Sequence, residues 1–514
     1  MHEVMWDAVL LVCEPRTLAI IAISAAYGIF VGSIPGLTAT MATALIVPLT
    51  FYLSDVEAVA AIVTTVTCSI FAGDIPATLV RIPGTPASAA YAADAYALTQ
   101  QGLAQRALTT SLTFSTLGGL FGVLVLAVAA PQLATVATHF TSYEYFWLYV
   151  LGLTCAAIVS DEARLKGALA LMIGIQLSTV GLGTDYSVPR LTFGVDELIT
   201  GINFIPAMIG LFGVSEIFRN VLTMRRDRPS AGPLAPVPRA EAAATGGSDF
   251  PSVMAFTGRR IPQLLRSSTI GSLVGMLPGA GADIAAWISY AVSKRFSKRP
   301  EGYGSGSLEG LADATGANNA ALGSAWIPAL VFGIPGDSIT AIAIGVLLMK
   351  NITPGPDIFD AGKHPEQAVL VGSIFVTFVL ANLLLIPIGL AAIRTGSMLI
   401  RIPRRILLPA IMLFCIVGSY AMYGSYFDVW VMLAMGLLGF VLEKYGVPLG
   451  PVVLGIILGS QVEHTFIQCI TKSSSLAAFF ASPLSIGLGL IGVALWLGPA
   501  ILSLARRNDG GDRQ

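Results

Sequence analysis

Residues Gly73–Thr85 read GDIPATLVRIPGT, which puts two prolines, a glycine turn, an aspartate and an arginine into a chain that otherwise runs as apolar helix. A helix inside a bilayer satisfies every backbone N–H and C=O internally, because lipid offers no replacement partner. A break there costs several kcal/mol per unpaired group unless it borders a polar cavity. Proline removes a donor and interrupts the helical ladder. A charged, broken membrane segment therefore points to a binding site.

The signature recurs. GSIPGLTATMA from Gly32 and GMLPGAGADIA from Gly275 share Gly, Pro, Gly, Ala and Ala in register, an offset of 275 − 32 = 243. IPATLVRIPGT from Ile75 and IPALVFGIPGD from Ile327 share Ile-Pro-Ala and Ile-Pro-Gly, an offset of 327 − 75 = 252. The larger second offset predicts an insertion in the polar stretch around KRFSKRPEGYGSGS. Two ordered pairs predict duplicated halves. An inverted arrangement is preferred, because basic loops flank the second Pro-Gly turn whereas Asp55 and Glu57 follow the first.

Composition agrees with a membrane setting. Hydrophobic residues make up 55% of the 514, charged residues 11%, and the mean hydropathy is +0.78, values that mark a polytopic membrane protein. A net charge of −1 without a basic face excludes nucleic acid as a partner. Five scattered cysteines and four unpaired histidines offer no metal spacing. GAGAD (279–283) departs from the Gly-x-Gly-Asp of intramembrane aspartyl proteases, and GYGSGS (302–307) lacks the Gly-Lys-Ser/Thr ending of a phosphate loop, so no enzyme is expected.

The expected fold is an all-α polytopic membrane protein of about 12 spanning segments, with two repeated halves, broken helices and membrane hairpins. Residues 1–223 form the first half, 224–263 a polar cytoplasmic linker, 264–400 the second half and 401–514 additional helices. Basic clusters at Arg259–Arg266 and Lys294–Arg299 flank the apolar run 268–293 on both sides, so that run must enter the membrane, turn at Pro278-Gly279 and return.

Prolines 35, 83, 278 and 335 and glycines 36, 84, 279 and 336 make the turns. Thr38, Thr40, Thr85, Ser88, Ser338 and Thr340 follow them as small hydroxyl donors near fresh helix N-termini. Each such end carries roughly +0.5 elementary charge, and several converging ends would hold an anion; simple capping and packing is the plainer use. Arg81 is suited to bidentate contact with a carboxylate, or else to snorkelling toward an interface. Asp74, Asp283 and Asp337 sit beside the breaks and are expected to carry protons or coordinate a coupling cation, unless Asp74 or Asp337 simply pairs with Arg81. Asn318 and Asn319 offer amides to Na⁺ or substrate, or pack across helices.

Over nearly its whole length, from about Gly28 to Ile486, the chain resembles the TctA family, the large membrane subunit of the bacterial tripartite tricarboxylate transporters. The resemblance is carried by IPGTPASAA (82–90), TVGLGTDYSVPRLTFGVDELITGINFIPAMIGLFGVSEI (179–217), LPGAGADIAAWISYA (277–291), GANNAALGSAWIPALVFGIPG (316–336) and NITPGPDIF (351–359). It implies a carboxylate importer of the bacterial inner membrane coupled to Na⁺ or H⁺, with no other cofactor. It also implies a periplasmic solute-binding protein and a small four-helix membrane subunit as partners, and admits a homo-oligomer. The turns, Thr85, Ser88, Asn318 and Asn319 fall where such a family would form its site. Arg81 stands where the family often has asparagine, Asp337 where it has a small or neutral residue and Asp283 where it has a neutral one, departures that admit a substrate other than citrate. An anion channel or a membrane scaffold without ion coupling is the alternative.

Overall fold

The computed structural model describes residues 2–159, 164–183, 188–226, 250–279, 281–399 and 404–495. The helices of the first part are α1 (His2–Val12), α2 (Pro15–Gly32), α3 (Ala39–Thr50), α4 (Asp55–Ala72), α5 (Asp74–Val80), α6 (Pro86–Ala89), α7 (Ala92–Gln100), α8 (Ala104–Ala137), α9 (Ser142–Val159) and α10 (Arg164–Ser178). A two-residue antiparallel pair, β1 (Gly181–Leu182) with β2 (Pro189–Arg190), precedes α11 (Phe204–Met208) and α12 (Ser215–Arg226). The later helices are α13 (Phe250–Arg259), α14 (Ile261–Gly275), α15 (Gly281–Phe296), α16 (Leu308–Phe332), α17 (Ser338–Met349), α18 (Pro365–Leu399), α19 (Arg404–Tyr423), α20 (Tyr426–Lys444), α21 (Leu449–Lys472) and α22 (Pro483–Leu495). Of the expected linker, 250–259 is helical and 227–249 lies outside the described residues, as does 496–514 of the C-terminal helices.

Eight stretches among the described residues are long and apolar enough to cross a membrane, fewer than the 12 or so expected. The breaks account for part of the difference. α3 and α17 have 12 residues each, about 18 Å of helix, and the hydrocarbon core is about 30 Å thick.

The sequence repeat recurs as a repeat of contacts. α2 lies so close along α4 that a Cβ on Gly28 would sit 2.5 Å from the Thr65 carbonyl oxygen, and one on Gly32 2.5 Å from that of Ser69. α14 lies on α16 in the same way, Gly271 against the Ala317 carbonyl at 2.2 Å and Gly275 against that of Ala321 at 2.4 Å. The first helices differ by 271 − 28 = 243 and their partners by 317 − 65 = 252, the two offsets of the motifs. Small residues permit this approach, and packing is what holds helices together in lipid. α4 from Glu57 to Ala72 and α16 from Gly310 to Phe332 are buried at every position, which makes them the paired central columns.

The insertion falls where the offsets require it. Four residues (51–54) join α3 to α4, whereas eleven (297–307) join α15 to α16.

Contact registers fix the helix directions. Gly118 and Gly122 of α8 meet Gly316 and Ala320, so α8 runs with α16. Gly119 meets Asn382 while Gly389 meets Leu112, so α18 runs against α8; Gly389 and Gly396 meet Phe71 and Ile75, so α18 runs with α4 and α5. α4 and α16 therefore run oppositely. The α2–α3 hairpin opens where Arg16 pairs with Glu57 at 2.9 Å, and the α14–α15 hairpin opens where Arg260 pairs with Glu309 at 2.9 Å.

Candidate functional site

The helix ends at the second and fourth breaks are built alike. After α5 the Ile82 N–H donates to the Pro76 carbonyl at 3.3 Å, and after α16 the Ile334 N–H donates to the Pro328 carbonyl at 3.2 Å. These six-to-one bonds close a helix whose next residue adopts the left-handed conformation. At the fourth break that residue is Gly333 (φ 68, ψ 19) and at the second it is Arg81 (φ 58, ψ 27), again 252 apart. A left-handed C-cap favours glycine or asparagine, so backbone geometry explains this position without a ligand.

The following turn folds back on its own helix. A Cβ on Gly84 would lie 2.5 Å from Gly73 Cα, and one on Gly336 would lie 2.9 Å from Ala325 Cβ. Each chain then re-enters helix through a capping box, Thr85 with Ser88 and Asp337 with Thr340. Thr340 N–H donates to Asp337 Oδ1 at 2.7 Å and Asp337 N–H donates to Thr340 Oγ1 at 2.9 Å. The orphan donors that a break would expose are thereby satisfied. At the first and third breaks, Gly36 (φ 88) and Gly279 (φ 78) supply the left-handed turn, and Thr38 caps α3 by accepting from the Met41 N–H at 3.2 Å.

All four breaks meet at one cavity of about 150 Å³. Thr38 and Thr40 reach it from the first, Thr85 from the second, Gly279 and Asp283 from the third, Asp337 and Ser338 from the fourth, with Asn318 from the middle of α16. Asp283 joins the halves, accepting from the Ala87 N–H of α6 at 3.0 Å. A Cβ on Gly281, two residues before Asp283, would lie 3.1 Å from Asp337 Cβ, so the third break packs against the fourth, and Asp283 and Asp337 both line the cavity there.

The remaining expected residues support the cavity from behind or lie away from it. Pro35, Gly36, Pro83, Gly84, Pro278, Pro335 and Gly336 shape the turns without lining it, and Ser88 and Thr340 are consumed in the capping boxes. Asn319 points back along α16, donating to the Thr315 carbonyl at 3.3 Å. Asp74 is buried elsewhere, accepting from the Tyr91 hydroxyl at 2.5 Å and from the Ser111 hydroxyl. Arg81 is exposed, outside the cavity and paired with neither Asp74 nor Asp337. A left-handed C-cap turns its side chain away from the point where the helix ends converge.

One wall was not anticipated. Ala156 of α9 and Pro448, Gly450, Pro451 and Leu454 at the start of α21 also line the cavity. The run Val447–Pro451 carries the same proline-glycine punctuation as the four breaks, but it lies outside both repeats and has no counterpart that would mark it.

The family model described as the tripartite tricarboxylate transporter TctA family matches residues 18–454. Among curated proteins, an uncharacterized 52.8 kDa protein in the TAR-I ttuC' 3'region of Agrobacterium vitis is 35% identical over 475 residues, covering 91% of each chain. An uncharacterized protein in the TAR-II ttuC' 3'region of the same organism is 37% identical over 237 residues, which is 45% of this chain and 96% of that one. No solved structure matches. The family match spans the repeated motifs, both hairpins, all four breaks and the first turn of the unanticipated wall, and with it the chain belongs to the tripartite tricarboxylate transporter TctA family.

Proposed function

We propose that the chain is the translocating membrane subunit of a system that imports small carboxylates across the bacterial inner membrane. A periplasmic solute-binding protein delivers the substrate, a small four-helix membrane subunit assists, and Na⁺ or H⁺ supplies the drive. Membership of the family supports the tripartite assignment. The observation that carries the substrate site is the meeting of turn residues from all four breaks at one small cavity between the halves. Its volume is below the roughly 300 Å³ at which pockets for drug-sized ligands begin, which suits a compact acid.

The opposite directions of α4 and α16 support reading the halves as an inverted repeat. Rocking of one half against the other would then present the cavity to each side in turn. Arg81 has no part in this mechanism, because its side chain lies outside the cavity.

The test is uptake of labelled di- and tricarboxylates by cells that express the chain with its partner subunits. Saturable uptake of one acid is expected, reduced at least tenfold when Thr38→Leu or Ser338→Leu fills the cavity in a protein that still reaches the membrane. Uptake unchanged by both substitutions would remove the cavity from the pathway. Flux without counterflow in proteoliposomes would favour a channel.

A further inference from the structure

The cavity's charge does not suit an anion by itself. Among its lining residues the only charged side chains are the carboxylates Asp283 and Asp337, with no lysine, arginine or histidine. Four helices of eight residues or more begin at its edge, α3, α15, α17 and α21. Their N-termini together supply about +2 elementary charge, which no more than balances the two carboxylates. An incoming carboxylate would meet no net attraction and two fixed carboxylates at close range.

Asn318 points to what resolves this. It lies at the middle of α16, is 2% exposed, lines the cavity, and its side chain has no hydrogen-bond partner among the described residues. An amide that borders a cavity without a protein partner is free to bond to what enters it. Both aspartates keep lone pairs for a ligand: Asp283 Oδ1 accepts from the Ala87 N–H and its Oδ2 has no hydrogen bond among the described residues, while the Asp337 carboxylate accepts from Thr340 and from the Ile339 N–H alone. Two carboxylates, an amide oxygen and neighbouring threonine and serine hydroxyls form an all-oxygen set, which suits a hard cation.

We infer that the cavity binds a hard monovalent cation, Na⁺ by its chemistry, between Asp283 and Asp337 with the Asn318 side-chain oxygen, and that a substrate carboxylate binds against that cation. The inference rests on reading the cavity as the transport site. Coupling then follows from electrostatics, since the anion enters a site to which the cation has first given a net positive charge. The hydroxyls of Thr38, Thr40 and Ser338 are left to hold the far side of the acid. Asp74 is outside this arrangement, its carboxylate being occupied by Tyr91 and Ser111.

The purified full chain in lipid nanodiscs tests this by thermal unfolding, with NaCl titrated against choline chloride at constant ionic strength, at pH 6 and pH 8, with and without citrate. Na⁺ should raise the transition temperature where choline does not, and citrate should add stabilisation only when Na⁺ is present. Asp283→Asn and Asp337→Asn keep the shape and the backbone contacts, asparagine being as good an N-cap as aspartate. Each should weaken the Na⁺ response at least tenfold, and Asp357→Asn, in the exposed loop before α18, should leave it unchanged. A response to pH alone, or a Na⁺ response untouched in both aspartate variants, would overturn the site. Na⁺ binding without uptake of any acid would instead retain the cation site and count against the transport reading.

Discussion

Asp94 of α7 holds the inserted loop of the second half. It is fully buried, and its Oδ1 accepts from the backbone N–H groups of Gly304 at 2.7 Å, Gly306 at 2.8 Å and Ser307 at 2.8 Å. Its Oδ2 accepts from the Tyr290 hydroxyl at 2.5 Å. GYGSGS thus forms a concave row of backbone donors, as phosphate loops do, but the anion it cradles is the protein's own carboxylate. Asp94→Ala removes all four acceptor contacts. An unsatisfied buried donor costs about 1–3 kcal/mol, but Gly304 is exposed and Gly306 half-buried, so water replaces the acceptor there. Ser307 is buried and bears the full penalty, and the lost Tyr290 bond adds about 1 kcal/mol. The expected destabilisation is about 2–4 kcal/mol. Asp94→Asn keeps one oxygen toward the loop and loses only the charge assistance, about 1 kcal/mol. SDS-induced unfolding in mixed micelles, followed by tryptophan fluorescence, measures both. Asp94→Ala within 0.5 kcal/mol of the parent, or asparagine as damaging as alanine, would refute the reasoning.

Three further outcomes are expected. Arg81→Asn should leave uptake within about twofold, and Arg81→Gly should change stability by no more than about 1 kcal/mol, relief of the left-handed conformation being offset by glycine's greater freedom when unfolded; a tenfold loss of uptake in Arg81→Asn would return the guanidinium to the mechanism. Gly275→Val should prevent stable insertion, because its Cβ would lie 2.4 Å from the Ala321 carbonyl oxygen, and normal yield of monodisperse protein would contradict the helix contact. Ser54→Ala removes the cap that accepts from the Glu57 N–H at the start of α4 and should cost about 1 kcal/mol without changing the substrate concentration at half-maximal uptake.

The repeated Pro-Gly motifs locate the breaks from sequence alone, because proline and glycine act on the backbone locally and leave a mark wherever they stand. The two offsets also placed the insertion between α15 and α16. The side chains at the breaks were less legible. Arg81 and Gly333 occupy equivalent left-handed caps, yet in sequence the first reads as a buried cation and the second as a plain glycine. Asp74, Asp283 and Asp337 look alike beside their breaks, but Tyr91 and Ser111 occupy one of them while the other two face the cavity. The partners that separate these cases lie 17 and 37 residues away for Asp74 and 196 for Asp283, beyond any local pattern.

By itself the sequence determined that this is a membrane protein of all-helical class, duplicated, with four interrupted segments, and which residues make each interruption. Those properties follow from hydropathy, backbone restriction and self-similarity, which are written residue by residue. Tertiary structure alone decided that the interruptions meet, that Asn318 and the start of α21 join them, and that two aspartates but no arginine share the enclosed space. Convergence depends on how α4 and α16 cross between the halves, and direction in space is set by long-range packing of glycine faces, which no window of sequence contains.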